Sequence, residues 1–171
     1  MPIKLIGSFF VIIALLQVSC LQVRRVPSYP LDVLTLESGN SEGNCNNGLW
    51  QHIHNPARLI IIEPCVTLTG KVKGVHTSPD GDIHLRIAMD RNTRLPINFY
   101  NYIARGGCIV AEIICGKPAK SSKGKISCMG YQNALTIPKR GSSVSITGSY
   151  VLDTNHGWRE IHPVTKLEIL K

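Results

Sequence analysis

Aromatic residues make up only 6% of the 171-residue chain, and no CxxC, HExxH or Gly-rich phosphate-loop motif occurs anywhere in it. These absences remove the ready signatures of dithiol redox chemistry, zinc proteolysis and nucleotide hydrolysis, and a nucleophilic serine or cysteine has no sequence support. No heptad pattern and no repeat of solenoid length is present, which excludes coiled coils and repeat arrays. Acidic residues are missing altogether from Ile113 to Leu152. What is there belongs to a globular protein: 43% hydrophobic, 18% charged, with 15 Gly and 10 Pro to break the chain into short pieces, and a formal net charge of +8. Disorder does not fit that composition.

The N-terminus carries a short basic end, Met1 to Lys4, followed by the apolar run LIGSFFVIIALL from Leu5 to Leu16. This has the length and flanks of a signal peptide. Val18, Ser19 and Cys20 resemble the end of a lipobox, which would make Cys20 a lipidated first residue, although Gln17 stands where an aliphatic residue belongs. A retained anchor is the third reading, with Arg24 and Arg25 just beyond the uncharged stretch. All three readings place the remainder outside the cytoplasm, secreted or tethered to the outer face of the membrane. The division expected is a signal peptide or anchor over residues 1–20, a linker over 21–44, and one domain over 45–171.

Cysteine use fits an oxidising compartment, since Cys45, Cys65, Cys108, Cys115 and Cys128 lack metal-finger spacing. Cys115 and Cys128 bracket the loop GKPAKSSKGKIS and are expected to pair, a closure that stabilises by about 3 kcal/mol in the chain-entropy account. Cys45 and Cys65 form the second expected pair and tie the N-terminal segment to the domain. Cys108 is left as a buried small hydrophobe.

From Cys65 the chain alternates. Val66, Leu68, Gly70 and Val72 fall on one face of a strand that ends at the turn Ser78-Pro79-Asp80-Gly81, and Ile83, Leu85, Ile87 and Met89 fall on one face of the next. The runs Cys108–Cys115, 142–152 and 158–170 supply three more strands, the last interrupted by Pro163 at an edge or bulge. Residues 49–59, with Trp50, His52, His54 and Pro56, are expected to lie over the strands. Five short strands with glycine inside the first and fourth suit an all-β fold, a mostly antiparallel five-stranded OB-like barrel.

Three features carry candidate chemistry. Lys117, Lys120, Lys123 and Lys125 form a basic loop able to attract a polyanion, but only Tyr131 is at hand to stack on bases, so the pattern is not that of a single-strand binder. Asp82 and His84 share a strand face after a glycine turn, and this Asp-Gly-Asp is similar to the opening of the second strand in thermonuclease-type OB enzymes; the remaining arginine and acid pattern of those enzymes is not found. The third is the closing run from His156 to His162. Period two aligns His156, Trp158, Glu160 and His162, and the His156, Glu160 and His162 of that face make, with Asp82, His84 and Glu112, a candidate set for a divalent metal. The competing reading of that run is a structural polar network, with Asp153 bound to His156 in a turn and His162 bonded to a backbone carbonyl.

Taken together, NPARL, PCVTLTGKV, PDGDIHLRI and SITGSYVLDTNHGWREIHPV resemble a group of secreted prokaryotic OB-type domains that share a closing His-Gly-Trp-x-Glu-Ile-His-Pro signature, over about residues 55–165. The resemblance implies fold and export, not a reaction. The expected function is a non-catalytic extracytoplasmic binding module, with the lysine loop and Trp158 meeting an anionic ligand, a polyanion or an envelope protein. A metal-dependent, nuclease-like hydrolase is the alternative, and a purely structural envelope domain the third reading.

Overall fold

The computed structural model describes Cys45 and residues 48–171. The leader, the linker and Cys20 lie outside the described residues. Five strands form the body: β1 Leu59–Thr77, β2 Ile83–Met89, β3 Ile109–Ile113, β4 Ser143–Asp153 and β5 Arg159–Leu170. They close into a ring in the order β1-β2-β3-β5-β4, with β4 returning to β1. Every pairing is antiparallel except the short one between β3 and β5, where Val110 faces Glu160 and Ala111 faces Ile161.

The alternation read from the sequence sets the inside of the ring. Leu68, Leu85 and Ile146 are fully buried there, together with Ile109, Ala111 and Ile113 of β3 and Ile161 of β5. Each such side chain contributes roughly 1.5–3 kcal/mol by leaving water. Gly148 lets β5 approach β4 closely, because a Cβ there would lie 2.4 Å from the Pro163 carbonyl oxygen. The β4–β5 register shifts on both sides of Gly148, so Pro163 occupies a bulge and needs no ladder N–H.

β1 begins at Leu59 and not at Cys65, since Leu59 to Glu63 add to the ladder with β4. β3 is shorter than Cys108–Cys115, ending before Cys115, whose φ of 51° turns the chain out of the sheet. Two short helices interrupt what read as loops: α1, Phe99–Arg105, and α2, Ser122–Ser127. α1 is fixed by a reciprocal cap between Asn98 and Asn101 and stops at Gly106 in the left-handed region. The fold is therefore mostly β with small helices.

Both disulfides expected from spacing are formed, Cys45–Cys65 and Cys115–Cys128, and Cys108 is free and buried. They fit an oxidising compartment. No helix among the described residues is long and apolar enough to cross a membrane. Residues 48–58 lie on the outer surface of the ring, where Leu49 and Ile53 pack with Leu59, Ile114 and Val151 in a second apolar cluster. From this cover Arg58 reaches the outward-facing Glu112 of β3 and Glu160 of β5.

Candidate functional site

The outward face of β3 and β5 is polar beneath that cover. Because Ala111 and Ile161 point into the ring, their neighbours Glu112, Glu160 and His162 point out of it, yet all three are at most 1% exposed. His162 Nδ1 lies 2.9 Å from Glu112 Oε2 and 3.0 Å from Glu160 Oε1. The Arg58 guanidinium, at the end of a 3-10 turn (Pro56–Arg58), is 3.8 Å from Glu112, 3.7 Å from Glu160 and in direct contact with Asp153. Trp158 Nε1 donates to Glu160 Oε2 at 2.8 Å. His162 thus bonds carboxylates and not the backbone carbonyl expected of it.

Burial alone would lower the pKa of His162, but the charge of Glu112 and the hydrogen bonding of its ring to the Glu112 and Glu160 carboxylates raise it to about 10. Burial would raise that of Glu112, and the charges of His162, His84 and Arg58 reverse this and hold it at about 2. Both groups are therefore ionised at neutral pH, and the cluster is an ion network.

Trp158 stands between this network and the surface. One face stacks on His156 at 4.2 Å and 7°, and the Arg105 guanidinium lies 3.8 Å over its ring. It is buried and offers neither face to a ligand. His156 is in the turn before β5, where its Nδ1 is 2.6 Å from Asp153 Oδ2, as the structural reading of this run held.

The ion network reaches solvent through His84. Its Nδ1 lies 3.3 Å from Glu112 Oε1, and its ring forms part of a cavity of about 200 Å³ lined by Gly74, Val75, His76, His84, Arg86, Arg105 and Val110. The sheet register explains the convergence: His76 of β1 pairs with His84 of β2, His84 with Glu112 of β3, and Arg86 with Val110. Two guanidiniums and two imidazoles line this cavity and no carboxylate does. Neither Arg86 nor Arg105 forms a salt bridge among the described residues, and Arg105 Nε is buried without a hydrogen-bond partner.

The six residues of the candidate metal set do not all meet. Glu112, Glu160 and His162 have donor atoms within 4.8 Å of one another, and His84 touches Glu112. Asp82 is held apart by accepting the Cys115 N–H at 2.7 Å, and burial raises its pKa to about 7. His156 belongs to Asp153. The Asp80 side chain accepts from the Ser78 hydroxyl and from the Asp82 N–H, which makes the Asp-Gly-Asp a turn device and not a ligand cluster. A hydrolytic metal needs an open coordination position, whereas the Glu112–Glu160–His162 donors are sealed from solvent and engaged by Arg58 and Trp158.

Lys117, Lys120, Lys123 and Lys125 are all exposed. Lys117 and Lys125 border a groove that Pro118, Ala119, Tyr131, Gln132 and the bridged Cys115 and Cys128 also line. The residues missed in the sequence are Arg58, His76, Arg86 and Arg105. Period two from His84 reaches Arg86, and the hairpin turn brings His76 opposite; nothing in the sequence points to Arg58 or Arg105.

No protein-family model matches the chain, and no curated protein matches it.

Proposed function

We propose that the chain is a non-catalytic, extracytoplasmic binding module of the OB type whose ligand carries an anionic group, taken up in the cavity between β1, β2 and Arg105. The observation that carries the reading is the lining: Arg86, Arg105, His76 and His84 with no acid among them. In a half-enclosed cavity such cations attract an anion far more strongly than on open surface, because water screens them less. The OB reading is supported by the strand order, in which β5 enters between β3 and β4 and the ring closes on β1. Secretion or outer-face tethering is supported by the two disulfides and by the apolar run after Met1. The lysine loop adds long-range attraction for a polyanion or an acidic envelope protein.

Thermal unfolding at low ionic strength tests the reading. An anion that binds the folded state alone, at 100 times its Kd, stabilises by about 2.7 kcal/mol. If no phosphate, sulfate or carboxylate compound moves the transition, the anionic ligand is ruled out and only a partner-protein role survives.

The metal-dependent hydrolase remains as a second reading because one observation favours it: His84, Glu112, Glu160 and His162 do converge. It requires stoichiometric divalent metal in the purified protein and a chelator-sensitive unfolding temperature. A metal-free protein indifferent to chelator removes it.

A further inference from the structure

Resting on the reading just given, we infer that the anion this cavity takes is a phosphate monoester, the terminal group of a larger molecule, and not a carboxylate. A carboxylate is planar, and a single guanidinium fork satisfies both of its oxygens. This cavity presents two forks and two imidazoles from three elements: His76 from β1, His84 and Arg86 from β2, and Arg105 from the end of α1. A carboxylate seated on one fork would leave the other facing it uncompensated. Burial and then the charge of Arg86 lower the pKa of Arg105, and the opposing charges of Glu160 and Glu112 offset this only in part. A phosphate monoester brings close to two negative charges and three strong acceptor oxygens. That matches both forks, which share one oxygen, and leaves lone pairs for an imidazole.

Two further features bear on where the forks lie. A Cβ at Gly74 would lie 2.8 Å from Arg86 Nε and 3.0 Å from its Nη2, so the guanidinium occupies the space where any other residue would put its side chain. Gly74 also sits where the β1–β2 register shifts, which shapes β1 around this arginine. Arg105 is held by its stacking on Trp158, and its buried Nε–H has no acceptor. A buried donor of this kind is expensive to leave empty and gains most when an oxygen arrives. The cavity of about 200 Å³ is several times the roughly 30 Å³ share of one water. It therefore has room for the phosphate together with the first atoms of what carries it.

The test is isothermal titration of the purified protein, at constant ionic strength, with phenyl phosphate, inorganic phosphate and benzoate. Phenyl phosphate is expected to bind about tenfold or more tighter than benzoate, and tighter than inorganic phosphate. Arg86→Gln, at an exposed position, is expected to weaken phenyl phosphate by about tenfold or more. Gly74→Ala is expected to weaken it as well while keeping the arginine, because it displaces the fork. Benzoate binding as tightly as phenyl phosphate would overturn the inference and leave the anionic reading standing, whereas no binding by any of the three would remove both. Inorganic phosphate binding with the ester excluded, or Arg86→Gln binding like the unaltered protein, would also overturn it.

Discussion

Glu112→Gln tests the ion network directly. Glutamine keeps the shape of the side chain, so no cavity opens, and what is lost is the charge facing His162 at 2.9 Å, His84 at 3.3 Å and Arg58 at 3.8 Å. Removing one partner of a buried charge pair costs about 3–5 kcal/mol, which for a domain of this size lowers the midpoint of thermal unfolding by roughly 10–20 °C. The dependence on pH is the sharper signature. His162 has a folded pKa of about 10, above its ordinary 6.5, so its contribution is complete below pH 6.5 and is lost as pH rises through 10. Glu112, at about 2 against an ordinary 4.5, contributes fully above pH 4.5 and loses this as pH falls through 2. The unaltered protein should therefore exceed the variant most between about pH 4.5 and 6.5, with the gap narrowing on either side. Urea unfolding at a series of pH values measures it. A difference below about 1 kcal/mol at pH 6, or one that does not change with pH, refutes the network, since an exposed or unpaired site gives no more than that.

Asp82→Asn should act in the opposite direction. Burial raises the folded pKa of Asp82 to about 7 from 3.8, so the acid's contribution is present below pH 3.8 and is lost as pH rises through 7; asparagine keeps an acceptor for the Cys115 N–H without the charge. The variant should be the more stable at pH 8, by at most about 4 kcal/mol, with no advantage at pH 4, as read by denaturant unfolding at both values. Replacing Cys115 and Cys128 together by serine should cost about 3 kcal/mol at any pH, measured by chemical denaturation under oxidising conditions. Gly148→Ala should destabilise by about 1–3 kcal/mol, measured the same way, because the added methyl meets the Pro163 carbonyl oxygen.

The ring was legible wherever one side of a strand faced apolar neighbours. Leu68, Leu85 and Ile146 keep strict alternation, and each is buried where that alternation puts it. The two disulfides were legible because loop spacing limits which cysteines can meet. The start of β1 was not, because Ile60, Ile61 and Ile62 run together before Pro64 and remain half exposed, so no alternation marks them; their strand comes from pairing with β4. α1 was missed although Asn98 and Gly106 are good end signals, because seven residues bearing exposed Phe99, Tyr100, Tyr102 and Ile103 show no apolar stripe. Within the site, Glu160 and His162 were readable as one face of a strand, and Glu112 as the lone acid of a buried run. Arg58 meets them only through the covering segment, and Arg105 comes near only through the stacking of the end of α1 on Trp158, neither of which a local pattern encodes.

On the proposed function, the cavity beside Arg86 and Arg105, and not the lysine loop, holds the ligand's anionic group. Nitrogen-15 NMR of the arginine side chains during titration with phenyl phosphate addresses it directly. Saturable shifts are expected in the Nε–Hε signals of Arg86 and Arg105, with the backbone amides of Lys117, Lys120, Lys123 and Lys125 unmoved. Shifts confined to the lysine loop, with both arginine signals unchanged at saturation, would contradict the account.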